Sequence, residues 1–374
     1  MSNDADAPHI RLFLPGPTEV RREVLDAQAR WMIGHRMPEA ALLVARIRPR
    51  LQQVFQTEAR VLISSSSGTG LWEAASRNGV RQRVLHCVNG AFAERWADVS
   101  ERNGKAVLRV ESAWGQPVDA GAVARALEGG GFDAVAFVHN ESSTGVLSPL
   151  DDVAAAVRAA PGGDDILIMV DAVSSLAGAD VPCDALDLDI VLTSSQKAFA
   201  LPPGLAFAMV SARAMARAAS VPGRGYYFDF LELARYLDQD QTPATPALSL
   251  LAALDVQLDA MLTEGMAARF ARHAAMRDVV LGWARGHGFA PFAAFGAESP
   301  TVSCLVSGDR LDVGALNRFL RARGMILSGG YGPLKGTTFR IGHMGDWQVA
   351  DIQELLGAVD AYLVEARAGA TATA

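Results

Sequence analysis

The residues whose types and order could do chemistry lie between Ile166 and Phe199, in the run ILIMVDAVSSLAGADVPCDALDLDIVLTSSQKAF. Two short, β-branched apolar runs, Ile166–Val170 and Ile190–Leu192, are bounded by polar or turn residues and predict buried strands. Asp171 ends the first run. Ser194, Ser195, Gln196 and Lys197 follow the second. In an open parallel sheet, residues just past the carboxyl ends of strands line the ligand crevice. An aspartate after one strand and a lysine after another then share one site. That pair suits pyridoxal phosphate (PLP): a lysine amine forms a Schiff base with its aldehyde, and an aspartate keeps its pyridine nitrogen protonated. A surface lysine and a helix-capping aspartate explain the stretch alone equally well. The rest of the chain has to decide.

Other elements supply partners for such a site. Val61–Ile63 predicts a strand that runs into SSSSGTG (Ser64–Gly70) and then a helix. A strand, a Ser/Gly turn and a helix start offer N–H groups, hydroxyls and a helix dipole to a phosphate. The turn is neither a Walker A loop nor a dinucleotide fingerprint. Val84–Val88 predicts the next strand, and Phe92 lies in the first turn of the helix that follows. An aromatic there stacks on a cofactor ring or packs in the core. Val107–Val110 and Ala134–His139 are further strands, the latter leading into the polar cluster Asn140–Gly145. A helix over Pro149–Ala160 comes next, and Gly204–Ser211 is a strand at or near an edge. Alternating strands and helices from about residue 60 to 211 imply an α/β sheet, largely parallel.

Before that sheet, the pattern predicts an extended LFLPGPTEV (Leu12–Val20) and helices over Arg22–Trp31 and Pro38–Phe55. After Ala212 the rhythm changes. A long helical pattern runs from about Ser249 to Gly286 with a break near Gly265. The C-terminal part reads as a strand at Val302–Val306, a helix at Val313–Arg323, a Gly-rich turn SGGYGPLKG, a strand at Thr338–Gly342 and a last helix over Trp347–Glu365. The expected organisation is an N-terminal extended segment (1–20), a large domain (21–262) and a small C-terminal α+β domain (263–374).

The chain has 374 residues, half of them hydrophobic, and a formal net charge of −7. That balance argues against nucleic acid or an anionic membrane as the main partner. Three cysteines, Cys87, Cys183 and Cys304, show no CxxC spacing, so neither a disulfide framework nor a metal site is expected. No apolar run approaches the roughly 18 residues of a membrane span. The polar, acidic N-terminus is unlike a signal peptide. A cytoplasmic protein is expected.

The segments PGPTEV, MIGHRMPE, VFQTEARVLISSSSGTGLWEAA, VNGAFAERW, HNESSTGVLSPL, VDAVSSLAG, SSQKAFALPPG, TPATP and FRIGHMG occur in this order along nearly the whole chain. On these the chain resembles the class V aminotransferases, PLP enzymes of fold type I, and most of all the alanine–glyoxylate and serine–glyoxylate aminotransferases. The resemblance implies a mostly parallel seven-stranded sheet flanked by helices in the large domain. It implies Lys197 as the Schiff-base lysine and proton carrier, and Asp171 at the pyridine nitrogen. Val173 and Phe92 would lie on the two ring faces, with Ser142 near the ring hydroxyl. Ser67, Gly68 and Thr69 would hold the phosphate, with Gln196 beside it and Thr242 reaching it from the other subunit of a homodimer. Arg340 would take the substrate carboxylate as a bidentate partner. The implied reaction is a ping-pong transamination from a small amino acid, alanine or serine, to a 2-oxo acid such as glyoxylate or pyruvate.

Some positions depart from the family pattern. Phe92 stands where relatives often have tryptophan, Thr69 where they often have histidine, and Gln239 where some have tyrosine. A PLP lyase or cysteine desulfurase of the same fold is the alternative. Such enzymes need a mobile nucleophilic cysteine and commonly a histidine before the lysine; here Gln196 stands there, and buried thiols are expected. A Rossmann-type oxidoreductase lacks its glycine fingerprint. Lys197, Asp171 and Arg340 together argue against a non-catalytic binding protein. His35 and Arg36 stand in a loop that the resemblance places near the active-site entrance or that forms a tight structural turn, His343 reads as a local hydrogen-bonding residue rather than a catalyst, and Tyr331, in the Gly-rich turn before Arg340, either borders the substrate or is structural. No second arginine can be assigned from the sequence to a distal substrate carboxylate.

Overall fold

The computed structural model describes residues 9–372. Its strands, in chain order, are β1 (Arg11–Phe13), β2 (Arg60–Ser64), β3 (Arg83–Val88), β4 (Ala106–Glu111), β5 (Ala134–Val138), β6 (Asn140–Glu141), β7 (Val146–Leu147), β8 (Leu167–Asp171), β9 (Ile190–Ser194), β10 (Ala206–Val210), β11 (Ala290–Pro291), β12 (Val302–Val306), β13 (Met325–Gly329) and β14 (Thr338–Gly342). Strands β5, β8, β9 and β10 are buried at every residue. Their unbroken apolar runs reflect a sheet covered by helices on both faces.

Seven of these strands form one sheet in the order β2-β10-β9-β8-β5-β3-β4. The pairs β3–β4, β3–β5, β5–β8 and β8–β9 are parallel, whereas β10 runs antiparallel to both β9 and β2. The carboxyl ends of β8 and β9 therefore emerge side by side in a mostly parallel α/β sheet.

The helices follow the sequence pattern with local differences. Pro38–Phe55 forms as expected, with proline in its first turn and Gln56 in the left-handed region after it. The helix that starts at Arg22 ends at Ala27, short of Trp31. Gly265, at φ 82°, separates Leu248–Glu264 from Met266–Gly286.

A second sheet has the order β1-β13-β14-β12-β11, with β1 parallel to β13. The sequence reading missed β13 because MILSG runs directly into the glycine-rich turn. Each sheet has its own hydrophobic cluster: one spans residues such as Val24, Leu85, Val170 and Phe207, the other Phe13, Val280, Phe339 and Leu355. Because β1 belongs to the second sheet, the chain after it must cross to the carboxyl edge of the first. Thr18 N donates to Gln196 O at 3.0 Å there, and Thr18 Oγ1 donates to Met344 O at 3.2 Å.

Arg269 ties the two sheets together from the inside and is only 1% exposed. Its guanidinium donates to Ala177 O and Ala198 O, both at 2.9 Å, and to Asp346 Oδ1 at 2.9 Å and Glu264 Oε2 at 3.0 Å. Ala198 adjoins Lys197, so this bond also fixes the backbone beside the lysine. Removing one member of a buried ion network strands the others without water or partner. Arg269→Met is expected to destabilise the protein by about 3–5 kcal/mol, read as a lower chemical-denaturation midpoint. A midpoint equal to the wild type would show that the network carries no such weight.

Candidate active site

Asp171 closes β8, and Lys197 lies three residues past the end of β9. Both line one cavity at the carboxyl edge of the large sheet. Ser67, Gly68, Thr69, Phe92, Ser142, Val173 and Gln196 line the same cavity. Arg340, on β14, borders it: Nη1 donates to Ser142 O at 3.1 Å, Nε to Gly329 O at 3.1 Å and Nη2 to Ser328 Oγ at 3.2 Å. Thr242 lies elsewhere on its own chain, in an exposed loop beside Ser64, Ser65 and Tyr226, with Oγ1 donating to Ala244 O at 2.7 Å. Arg36 pins that loop by donating to Thr242 O at 2.8 Å and Gln241 Oε1 at 3.0 Å.

The carboxylate of Asp171 is oriented at both oxygens. Val173 N donates to Oδ1 and Trp72 Nε1 donates to Oδ2, each at 2.7 Å. Trp72 was not foreseen. It sits one helical turn after Gly68 in the helix Gly68–Gly79, so it faces the same side as the phosphate turn. Burial pushes the Asp171 carboxyl up to about 7, against the pull of those two bonds. Nearby Glu141 pushes in the same direction as burial, and Lys197 opposes it.

Desolvation likewise brings the Lys197 amine down to about 8, helped by Arg340 and opposed by Asp171 and Glu141. Its Nζ donates to Pro15 O in the PGP turn. Gly16 lies directly against the lysine: a Cβ there would meet its Cδ, Cε and Nζ at 2.6–2.7 Å, and Gly16 has φ +127°. The role of this turn was also not foreseen. At Gly68, a Cβ would come within 2.7 Å of Val173 Cγ2, so the Ser67–Thr69 turn and Val173 pack without room for a side chain.

Glu141 is a third unforeseen member. It is fully buried, and its Oε2 accepts from Phe92 N and Ala93 N at 3.0 Å while Oε1 accepts from Ser143 N and Oγ at 3.0 and 2.6 Å. It fixes the start of the helix Ala91–Arg102 and so the position of Phe92. His343 hydrogen-bonds Ser303 Oγ at 2.9 Å, and burial lowers it to about 4, as suits a local structural residue. The three cysteines are free and buried, and burial raises the Cys304 thiol to about 11, far from nucleophilic.

These residues suit PLP on observations of this chain. The helix Gly68–Gly79 starts at Ser67 with no side chain capping it, leaving its first N–H groups to an anion. Ser194 Oγ, Gln196 Oε1 and Asn140 Oδ1 are buried without a hydrogen-bond partner, and all three residues line the cavity. Unpartnered polar groups of this kind are costly unless a ligand or water meets them.

Two measurements test this geometry. Gly16→Ala should weaken PLP uptake by at least about tenfold, followed by the absorbance of the bound cofactor, in a protein that still folds; unchanged uptake would free Lys197 from the PGP turn. The second concerns pH. In the PLP-free protein the folded Asp171 keeps a proton that the unfolded chain releases between about 3.8 and 7, so its contribution to stability falls as pH rises through that window. Asp171→Asn removes this titration and adds only a pH-independent offset. The melting midpoint of the wild type relative to the variant should therefore fall from pH 4 to 7 and level off above; a constant gap would overturn the assignment.

Comparison with known proteins places this site in a family. The family model described as Aminotransferase class-V matches residues 12–330. The chain is 33% identical to a protein named the 42 kDa subunit of soluble hydrogenase from Anabaena cylindrica, covering 95% of this chain and 94% of that one. It is 32% identical to the L-aspartate–glyoxylate aminotransferase of Paracoccus denitrificans, covering 96% and 91%. It is also 32% identical to the serine–glyoxylate aminotransferase of Methylorubrum extorquens, covering 93% and 89%. Among solved structures, an alanine–glyoxylate aminotransferase from Nostoc sp. superposes with a TM-score of 0.90 at 28% identity, covering 97% of each chain. The chain belongs to the class V aminotransferases and is a PLP-dependent aminotransferase of fold type I.

Proposed function

We propose that this enzyme moves the amino group of a small amino acid, alanine or serine, to a 2-oxo acid such as glyoxylate or pyruvate, in two half-reactions. The observation that carries the reading is the meeting of Lys197, Asp171 and Arg340 around one cavity, a base, a ring-nitrogen partner and a carboxylate partner in reach of one small substrate. The names of the relatives support glyoxylate as acceptor.

PLP, when bound, acts as an electron sink that makes the α-proton of the amino acid removable. Lys197 would hold the cofactor through its amine and, when that amine is free, would carry the proton that leaves the substrate's Cα to the carbon that receives it. Its desolvated amine, at about 8, is partly neutral near physiological pH and so can act as a base. Asp171 holds the ring nitrogen, Val173 and Phe92 confine the ring faces, and Ser142 serves the ring hydroxyl. Ser67, Gly68 and Thr69 hold the phosphate, with Gln196 beside it. Arg340 orients the substrate carboxylate through its fork of donors.

The same reading includes a homodimer in which Thr242 serves the neighbouring subunit's phosphate. Trp31 (97% exposed), Met32 (73%) and Leu42 (61%) lie around one groove and form an apolar surface suited to burial by a second copy. The proposed units are 1–20, 21–262 and 263–374, supported by the separate hydrophobic clusters and the break at Gly265. A cytoplasmic location is supported by the free, buried thiols. No helix among the described residues is long and apolar enough to cross a membrane.

A half-reaction screen tests the reaction. The PLP-loaded protein should absorb at about 400 nm, lose that band on mixing with alanine or serine, and regain it with glyoxylate or pyruvate. Lys197→Ala should abolish the cycle. A band that no amino acid bleaches would refute the proposed function, and one that neither oxo acid restores would refute the acceptor.

A further inference from the structure

We propose that Arg95 and Tyr331 form a second anion subsite across from Arg340, which takes the distal carboxylate of a four-carbon dicarboxylic amino donor such as aspartate. This rests on the reading of Lys197 and Arg340 given above and extends the donors beyond neutral amino acids.

Arg95 follows Phe92 by three residues on the helix Ala91–Arg102, so the two side chains share a face. Phe92 lines the cavity, and Lys197 Nζ lies 6.0 Å from its ring centroid. The Arg95 guanidinium lies 5.5 Å from the same ring, and its Nη2 donates to the Tyr331 hydroxyl at 2.7 Å. Tyr331 arrives from the other sheet, on the turn after β13. Its ring stacks on Phe92 with centroids 5.3 Å apart, and the Arg340 guanidinium lies 5.4 Å from its centroid. One tyrosine thus stands between two guanidinium groups, with the reactive lysine beside them.

Neither cation is neutralised. Among the described residues Arg95 has no carboxylate partner, and Arg340 is held by two carbonyls and a hydroxyl. Tyr331 joins the two: Arg95 hydrogen-bonds its hydroxyl, and the Arg340 guanidinium lies 5.4 Å from its ring centroid. A short dicarboxylate can make a charge-assisted pair at each end with two such guanidinium groups. The Tyr331 hydroxyl accepts from Arg95 and keeps its own hydrogen to donate to the incoming carboxylate. Arg95 itself is exposed, so its recruitment by a ligand carries little desolvation cost.

The test pairs a selectivity ratio with a binding measurement. In single-turnover bleaching of the PLP-loaded protein, Arg95→Gln should lower the aspartate-to-alanine ratio of kcat/KM by at least about tenfold, and Tyr331→Phe should lower it in the same sense by less. Succinate, which carries no amino group to transfer, should bind the wild type more tightly than propionate, and Arg95→Gln should erase that preference. An unchanged ratio, equal losses for both donors, or succinate binding no better than propionate would overturn the subsite and leave Arg95 as a latch on Tyr331. Alanine turnover without aspartate turnover would overturn it while the proposed function stands. Failure of every amino acid to bleach the band would instead refute the reading on which both rest.

Discussion

The constraint on which the rest depends is a carboxylate buried at the carboxyl edge of a parallel sheet with no arginine to neutralise it. Asp171 has only N–H donors at its oxygens, one from the chain two residues on and one from Trp72. Holding an anion there without a cation is costly, and its raised pKa registers that cost. In the proposed reading the cofactor's ring nitrogen would supply that cation. Trp72 reaches Asp171 from the helix that begins at the Ser67–Thr69 turn, so one rigid element positions both the carboxylate and the turn.

The opposite charge is handled in a complementary way. Lys197 is desolvated, repelled by Arg340 and attracted by two buried acids, Asp171 and Glu141. Glu141 lies on β6, beyond the end of β5, and spends its hydrogen-bonding capacity on Phe92, Ala93 and Ser143. It can therefore bias the lysine electrostatically without competing for contact with it. Lysine, Phe92 and helix start are coupled through this one side chain.

Much of this was legible in the sequence, for a physical reason. Buried parallel strands are continuous apolar runs, and their polar ends mark the crevice, so Asp171, Ser142 and Lys197 could be set at strand ends by pattern alone. The helix Pro38–Phe55 carried both its proline start and its apolar period. What was not legible depends on contacts between distant residues. Pro15 and Lys197 are 182 positions apart, Trp72 and Asp171 are 99 apart, and Arg95 and Tyr331 are 236 apart. Strand β13 was lost because its last residues, Ser328 and Gly329, ordinarily signal a turn. Helix Arg22–Ala27 was overextended because its period continues into residues that the fold leaves in solvent.

The pairing of β1 with β13 also sets an order of assembly. Residues 11–13 are synthesised long before their strand partner, residues 325–327. The PGP turn that covers Lys197 lies between β1 and Thr18, so until β13 is made it is held only by its contacts with Gln196 and Lys197. A nascent chain can complete the large sheet and its cavity with the lysine uncovered. The N-terminal segment then closes over it as the final long-range contact. The Lys197 amine thus becomes fully enclosed only once the sheet that holds β1 has folded, which links the site to the folding of distant strands.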